Sequence, residues 1–378
     1  MSIPLSLLMM FQAASATAAD PNGSPVIVVR ARRSEDDLAA CLARACPPLE
    51  EIEAALNAAV QQFADGRYLD AKRSLVRTIS RNREHASDYP LVFASLLATT
   101  ATVAQHEGDD QMYRRMTFER GSFLRQELGE TNLQTIIAYL ETGNMLVAQG
   151  NYNGANGLYR RAQAAAEQSG RSRIAAAAIF RQAWVALGRK RFGQAEELAA
   201  RAVEMAGADD RLIEELTRIL AIRIAFARND ETAVARQIAA LPMTSRPEPV
   251  LATAPEIGPI GPPPAGMRVE QGGIAWIDLG YWVRPDGITA EVEVLRHSGQ
   301  PAWFNPVIRQ VGRRRYAPFQ AEHGDPGRYQ IERYTLRQDY VVATGSRIPG
   351  RGGSYELKVA SLTHMAEDQP QPSDSVVQ

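Results

Sequence analysis

Two cysteines, Cys41 and Cys46 in "CLARACPP", are the residues whose type and spacing point most directly to covalent chemistry. On a straight helix their Cα atoms would lie about 8–9 Å apart, too far for a disulfide. Pro47, however, biases Cys46 away from helical backbone, so the chain can turn there and close the ring. In an oxidising compartment the pair reads as a bridge stapling the end of the first helix; the alternative is two small apolar residues buried on that helix. No CxxC motif and no neighbouring histidine accompany them, which argues against thioredoxin-type chemistry and against zinc. The five histidines, His85, His106, His297, His323 and His364, have no ligand spacing. HExxH, GxSxG, GxxxxGK and GxGxxG are all missing, and the many carboxylates sit mostly on helix faces, as Glu196 and Glu197 do. The expectation is a protein that is not an enzyme and needs no cofactor or metal.

The elements around these residues divide the chain. It has 378 residues, enough for two domains each with its own core. A formal net charge of −1 gives no bulk electrostatic attraction to nucleic acid or to an anionic membrane. The first residues, "MSIPLSLLMMFQAASATAAD", carry an apolar run from Ile3 to Phe11 and then small residues, a pattern like a secretory signal peptide over 1–19 cleaved after Ala18 or Ala19. That run is too short and too broken by Pro4 and Gln12 to span a bilayer, so no stable membrane span is expected. Residues 20–47 read as a strand and a helix carrying the two cysteines.

From 48 to 241 one phrase recurs. "FADGRYLDA", "HEGDDQMYR" and "VAQGNYNGA" place Gly66, Gly108 and Gly150 in equal steps, and "LGRKRFGQA" and "ARNDETAVA" continue the phase. Between the phrases apolar residues recur at three- and four-residue spacing, as in Leu187, Phe192, Ala195, Leu198 and Ala202. A fixed period of this length predicts stacked helical hairpins, here over 48–83, 90–128, 131–169, 172–206 and 209–241. Glycine supplies the left-handed cap, and alanines 71, 155 and 195 allow close helix crossing. The Gly-x-Tyr-x-x-Ala core, Gly66-Arg67-Tyr68-Leu69-Asp70-Ala71, resembles the tetratricopeptide repeat, although at a longer period, with HEAT-like packing as the other possibility. That resemblance implies a surface that binds a peptide or partner protein. Asn144, Asn151, Tyr152 and Asn153 read as turn formers and packing rather than as a peptide clamp.

Residues 242–266 hold a run of prolines that reads as an extended, semi-rigid spacer between domains. Beyond it, 267–345 predicts a small α+β domain in the order ββαβ. "IAWIDLGYWV" is a strand, "RPDG" a turn, and "ITAEVEVLRHSG" alternates with Ile288, Ala290, Val292 and Val294 on one face. "WFNPVIRQVGRRRYAPF" has helical spacing, with Arg309, Arg313, Arg314 and Arg315 on a solvated basic face. "YQIERYTLRQDYVV" is a last strand with two-sided burial or a bulge. The tail, 346–378, reads as largely disordered. The fold class expected is therefore mainly α, a helical-hairpin solenoid followed by this small domain.

At Val283, Asp286, Gly287, Val292, Val294, Leu295, Ser298, Gly299, Phe304, Val311, Arg315, Tyr316 and Pro318 the segment resembles the C-terminal domain of the TonB energy-transducer family. The family's Tyr-Pro pair before the first strand and its retained N-terminal membrane helix are not found. The resemblance implies β-augmentation, with the last strand as the receiving edge: Tyr329, Ile331, Arg333, Thr335 and Arg337. The implied partner is an outer-membrane TonB-dependent receptor or another envelope protein, with homo-oligomerisation also possible. "SPVIVVRARR" and "VVATGSRIPGR" look like the box region of such receptors; either one pairs with the protein's own edge strand, or both are ordinary terminal strands. The function expected is a periplasmic interaction scaffold linked to TonB-dependent transport. The alternative is an inner-membrane-anchored transducer, and an enzyme with an unrecognised site stands last.

Overall fold

The structure, a computed structural model, describes residues 34–207, 210–243, 248–258, 274–298, 303–322, 324–342, 344–345 and 349–363. The signal-like segment 1–19, the box-like stretch near residue 30 and the tail from Glu367 lie outside these residues.

A first helix, α1 (Ser34–Ala43), packs through Leu38 on Ala55 and Ala58 of the next. Five hairpins follow: α2 (Pro48–Ala64) with α3 (Tyr68–Asn82), α4 (Pro90–Glu107) with α5 (Asp110–Leu128), α6 (Leu133–Ala148) with α7 (Tyr152–Gln168), α8 (Ser172–Gly188) with α9 (Phe192–Ala206), and α10 (Arg211–Ala227) with α11 (Glu231–Ala239). The repeated phrase forms the turn inside each hairpin. Gly66, Gly108 and Gly150 sit at φ 75°, 99° and 74°, a region a side chain disfavours, and end the first helix of their hairpins. Asp109, Asn151 and Asp230 then cap the second helix by accepting from the backbone N–H of Met112, Gly154 and Ala233. Ala71, Ala155 and Ala195 are fully buried in the cores of their hairpins.

The C-terminal sheet has the order β3-β2-β5-β6, all antiparallel, from β2 (Ile274–Val283), β3 (Thr289–His297), β5 (Arg328–Val342) and β6 (Pro349–Ser361). Asp286 and Gly287 make the β2–β3 turn. Gly287 has φ 78°, and a Cβ there would meet the carbonyl of Tyr316. The expected alternation of β3 does not hold: the register shifts, Glu291 takes φ 51°, and Val294 is exposed rather than inward. Helix α12 (Phe304–Gly312) covers one face of the sheet, with Phe304, Val307 and Val311 against Ile277, Leu279, Tyr334 and Leu336.

Three expectations need correction. First, 349–361 is not a disordered tail. Tyr355, Leu357 and Val359 alternate with Glu356 and Lys358, and this period-two pattern pairs as β6 along β5. The fold is thus ββαβ with a further strand. Second, the proline-rich stretch is not only a spacer. Leu251–Thr253 forms β1 and pairs with β4 (Arg315–Tyr316), while Ala252 and Ala317 pack on Ile219 and Ile222 of α10. The sheet is therefore packed against the solenoid, not held tens of ångströms away. Third, the basic face is not uniformly solvated. Arg309, Arg313 and Arg315 are exposed, but Arg314 is buried and donates to Glu332 and to the hydroxyls of Tyr281, Tyr316 and Tyr334.

Candidate protein-interaction site

The tips of the first two hairpins and one face of β5 form a buried seam. Arg333 is fully buried at its centre. Its Nε donates to Asp278 Oδ1 at 2.6 Å, its Nη1 to the Phe63 carbonyl at 2.5 Å and its Nη2 to the Ala64 carbonyl at 2.7 Å. These carbonyls belong to the last turn of α2, beyond the regular helical ladder; that of Phe63 also accepts from the Gly66 N–H at 2.9 Å. Burial is the largest single effect and pulls the guanidinium pKa down, but the bond to Asp278, the charge of Asp278 and the Tyr68 hydroxyl together outweigh it, and the pKa lies above the ordinary value. Arg296 bonds the same carboxylate from the exposed side.

Trp276 of β2 lies under Arg333, whose guanidinium carbon is 4.0 Å from the ring centroid. The same ring covers Gly66: a Cβ there would fall 2.2 Å from Trp276 Nε1. The first repeat glycine therefore both ends α2 and leaves room for the tryptophan. Beside it, Thr335 Oγ1 lies 3.1 Å from Tyr68 Oη and 3.1 Å from His106 Nδ1. Burial, with Arg333, Lys358 and Arg337 nearby, pushes the His106 pKa down to about 3. Arg337 extends the seam, donating to Asp110 Oδ1 at 2.8 Å and to Glu356.

The five residues expected on a receiving edge thus have a different task. Arg333, Thr335 and Arg337 are buried against the protein's own helices. Ile331 packs on the α2–α4 core, and its N–H donates to Thr363 Oγ1. Tyr329 donates to Glu293 and lies beside Trp282. β5 is paired with β2 on one side and β6 on the other, so it is an interior strand. Among the described residues, β6 pairs only with β5 and β3 only with β2, so the sheet has two outer edges, of which that of β6 lies beside β5. The "VVATGSRIPGR" segment spans the β5–β6 turn, so self-pairing at this position is by an ordinary hairpin.

Cys41 and Cys46 are bonded, with Cα atoms 5.1 Å apart. Cys46 N–H donates to the Cys41 carbonyl, and Ala45 turns through φ 48°, which is how the chain closes the ring before Pro47. Asn144 accepts from Tyr159, Asn151 caps α7, and Asn153 accepts from Arg189, all packing and capping tasks. Among the described residues no group of three or more His, Cys, Asp or Glu is placed to hold a metal ion, and no helix is long and apolar enough to cross a membrane. The seam could not have been found by motif, since its partners lie more than two hundred residues apart. The β6 edge could: the alternation from Tyr355 to Ser361 is a strand signal.

No family model and no curated protein matches the chain. Similar solved structures include BtubC (BKLC) from P. vanneervenii, 12% identical over 57% of this chain and 92% of that one, at TM-score 0.44. Another is a Podosopora anserina putative kinesin light chain with nearly identical TPR-like repeats, 14% identical over 51% of this chain and 93% of that one, at TM-score 0.41. The hairpins themselves, rather than these likenesses, define the chain as a helical-repeat scaffold carrying a docked antiparallel sheet.

Proposed function

We propose that this protein is a non-enzymatic interaction scaffold of the periplasm, and that its sheet binds an extended peptide of an envelope protein by strand addition along β6. One observation carries the proposal. With β5 closed on both sides, the outer edge of β6 is a row of backbone donors and acceptors without a strand partner among the described residues. The link to TonB-dependent outer-membrane transport rests on the resemblance at residues 283–318. It is supported by the way two of its matched residues meet: Tyr316 N–H donates to the Gly287 carbonyl at 2.8 Å. The tetratricopeptide-like repeats supply a rigid mount for the sheet.

Adjacent residues of an edge strand direct their N–H groups to opposite sides, so proline at Lys358 and at Val359 separates the two edges of β6. One variant breaks the β5 ladder and lowers the melting temperature. The other leaves folding nearly intact and abolishes binding of a β-branched box-like peptide, measured by calorimetry. Peptide binding that survives both substitutions overturns the proposal. Localisation has its own test, the mature N-terminus by mass spectrometry of fractionated native cells. A start near Ala19 or Asp20 in the periplasmic fraction supports the scaffold. An intact Met1 in the membrane fraction favours the second reading, an anchored transducer, for which the same resemblance speaks.

A further inference from the structure

A second surface lies away from the sheet. Helices α7 and α9 both pack on α8 and leave between them a cleft of about 280 Å³. Its floor includes Val185 and Ala186 of α8, both buried. Arg160 on α7 and Arg201 on α9 stand on its walls, and Arg189 and Arg191 come from the turn between α8 and α9. No carboxylate lines it. Elsewhere on the solenoid arginines face acids: Arg161 bonds Glu130, Arg173 bonds Asp210 and Arg120 bonds Glu141. In the cleft Arg189 instead donates to a neutral acceptor, Asn153 Oδ1, at 3.1 Å. The acids of α9, Glu196, Glu197 and Glu204, are not among the lining residues. Asn156 Oδ1, also in the lining, is buried and has no hydrogen-bond partner.

From this arrangement we infer that the α7–α9 cleft binds an acidic peptide segment of a protein partner. Guanidinium groups at both walls and one end are matched by carboxylate side chains, which they can grip in bidentate fashion. Asn156, Gln182 and Gln194 offer amides suited to a peptide backbone, and the apolar floor takes a small aliphatic side chain. Nucleic acid fits less well. No aromatic ring lines the cleft for base stacking, and the chain's net charge of −1 provides no long-range field.

The inference rests on reading the repeats as an interaction scaffold but not on strand addition at β6. The test is fluorescence anisotropy of the full chain with a short labelled peptide of Glu and Leu, beside a Gln-for-Glu control, at about 0.1 M salt, where exposed charges more than ~10 Å apart are screened. The expected result is binding of the acidic peptide alone, reduced at least tenfold in an R160E/R201E variant. An R77E/R236E variant changes net charge equally at two exposed positions elsewhere and should bind as the unaltered chain does. The Lys358→Pro and Val359→Pro variants should also bind it, which separates failure of this site from failure of the β6 edge. Absence of binding, equal loss in both reversal variants, or cleft-dependent binding of single-stranded DNA in place of the peptide would overturn the inference.

Discussion

Arg333 and Phe63 lie 270 residues apart in sequence, and a 2.5 Å hydrogen bond from the guanidinium of one to the backbone carbonyl of the other joins the sheet to the first helical hairpin. The donor is also held by Asp278, so the seam is built around a buried, fully engaged ion pair. Removing one partner of such a pair costs about 3–5 kcal/mol, because the other charge is left in a low-dielectric setting. Arg333→Leu should therefore destabilise the protein by about 3 kcal/mol, the lower end of that range, in urea unfolding, because Arg296 still pairs with Asp278. R333K keeps the charge but loses the planar fork that reaches both helix carbonyls, and should recover only part of the loss. Removing both charges, as in D278L/R333M, should cost less than R333L alone. Wild-type stability in R333L would mean that the sheet is not held at this seam.

Gly66 and Gly150 share a left-handed backbone, but only Gly66 has a ring against it. Alanine at Gly150 has open space around its Cβ, so its cost is the backbone preference, about 1–2 kcal/mol. Alanine at Gly66 must in addition displace Trp276, which adds about 1–3 kcal/mol of overpacking. The difference between the two variants should shrink when Trp276 is also replaced by alanine, as a double-mutant cycle on denaturation midpoints will report. Equal costs at the two glycines would sink the docking geometry.

His106 gives the seam a pH signature. Burial holds its pKa at about 3 in the folded protein, against an ordinary 6.5, so the unfolded chain takes up the proton first. The stability tied to neutral His106 is fully present above pH 6.5. Below that it falls by about 1.4 kcal/mol per pH unit, until the folded pKa is reached. Between pH 6.5 and 4.5 the unaltered protein should lose about 2 kcal/mol more than an H106Q variant does, measured by urea unfolding at each pH. Parallel curves would show that the ring is not buried neutral between Phe63, Tyr68 and Thr335.

The helical hairpins were legible because their signal is local. Glycine caps, alanine crossings and apolar spacing all lie within one repeat, and each can be read without its neighbours. The seam was illegible for the opposite reason. Arg333 and Arg337 alternate with Tyr334 and Leu336, which reads as a strand with two-sided burial or a bulge, but the alternation names no partner for its polar side. Only the tertiary contact with Phe63, Ala64 and Asp110 turns that polar side inward. The proline-rich stretch was misread because composition describes the unbound chain, whereas Leu251–Thr253 finds β4 and the face of α10 to pack on. β6 was overlooked because Gly350, Gly352 and Gly353 occupy its first residues, although the alternation beyond them is regular.

The disulfide should act locally. It closes a ring of few residues, and in the chain-entropy account such a loop contributes about 2 kcal/mol at most. Cys41 is buried, and α1 is otherwise attached through Leu38 and through Glu35, which bonds Arg67 and Gln62. Reduction, or a C41S/C46S variant, should therefore raise hydrogen exchange over Ser34–Cys46 and lower the stability of that segment by about 1–2 kcal/mol. Exchange in α4 to α9 should not change, because no residue of α1 enters their cores. A global loss of protection would mean that α1 caps the whole solenoid, as terminal elements of repeat arrays do when they shield the first exposed hydrophobic face. Unchanged exchange in α1 itself would leave the helix held by packing alone and the bond dispensable for the fold.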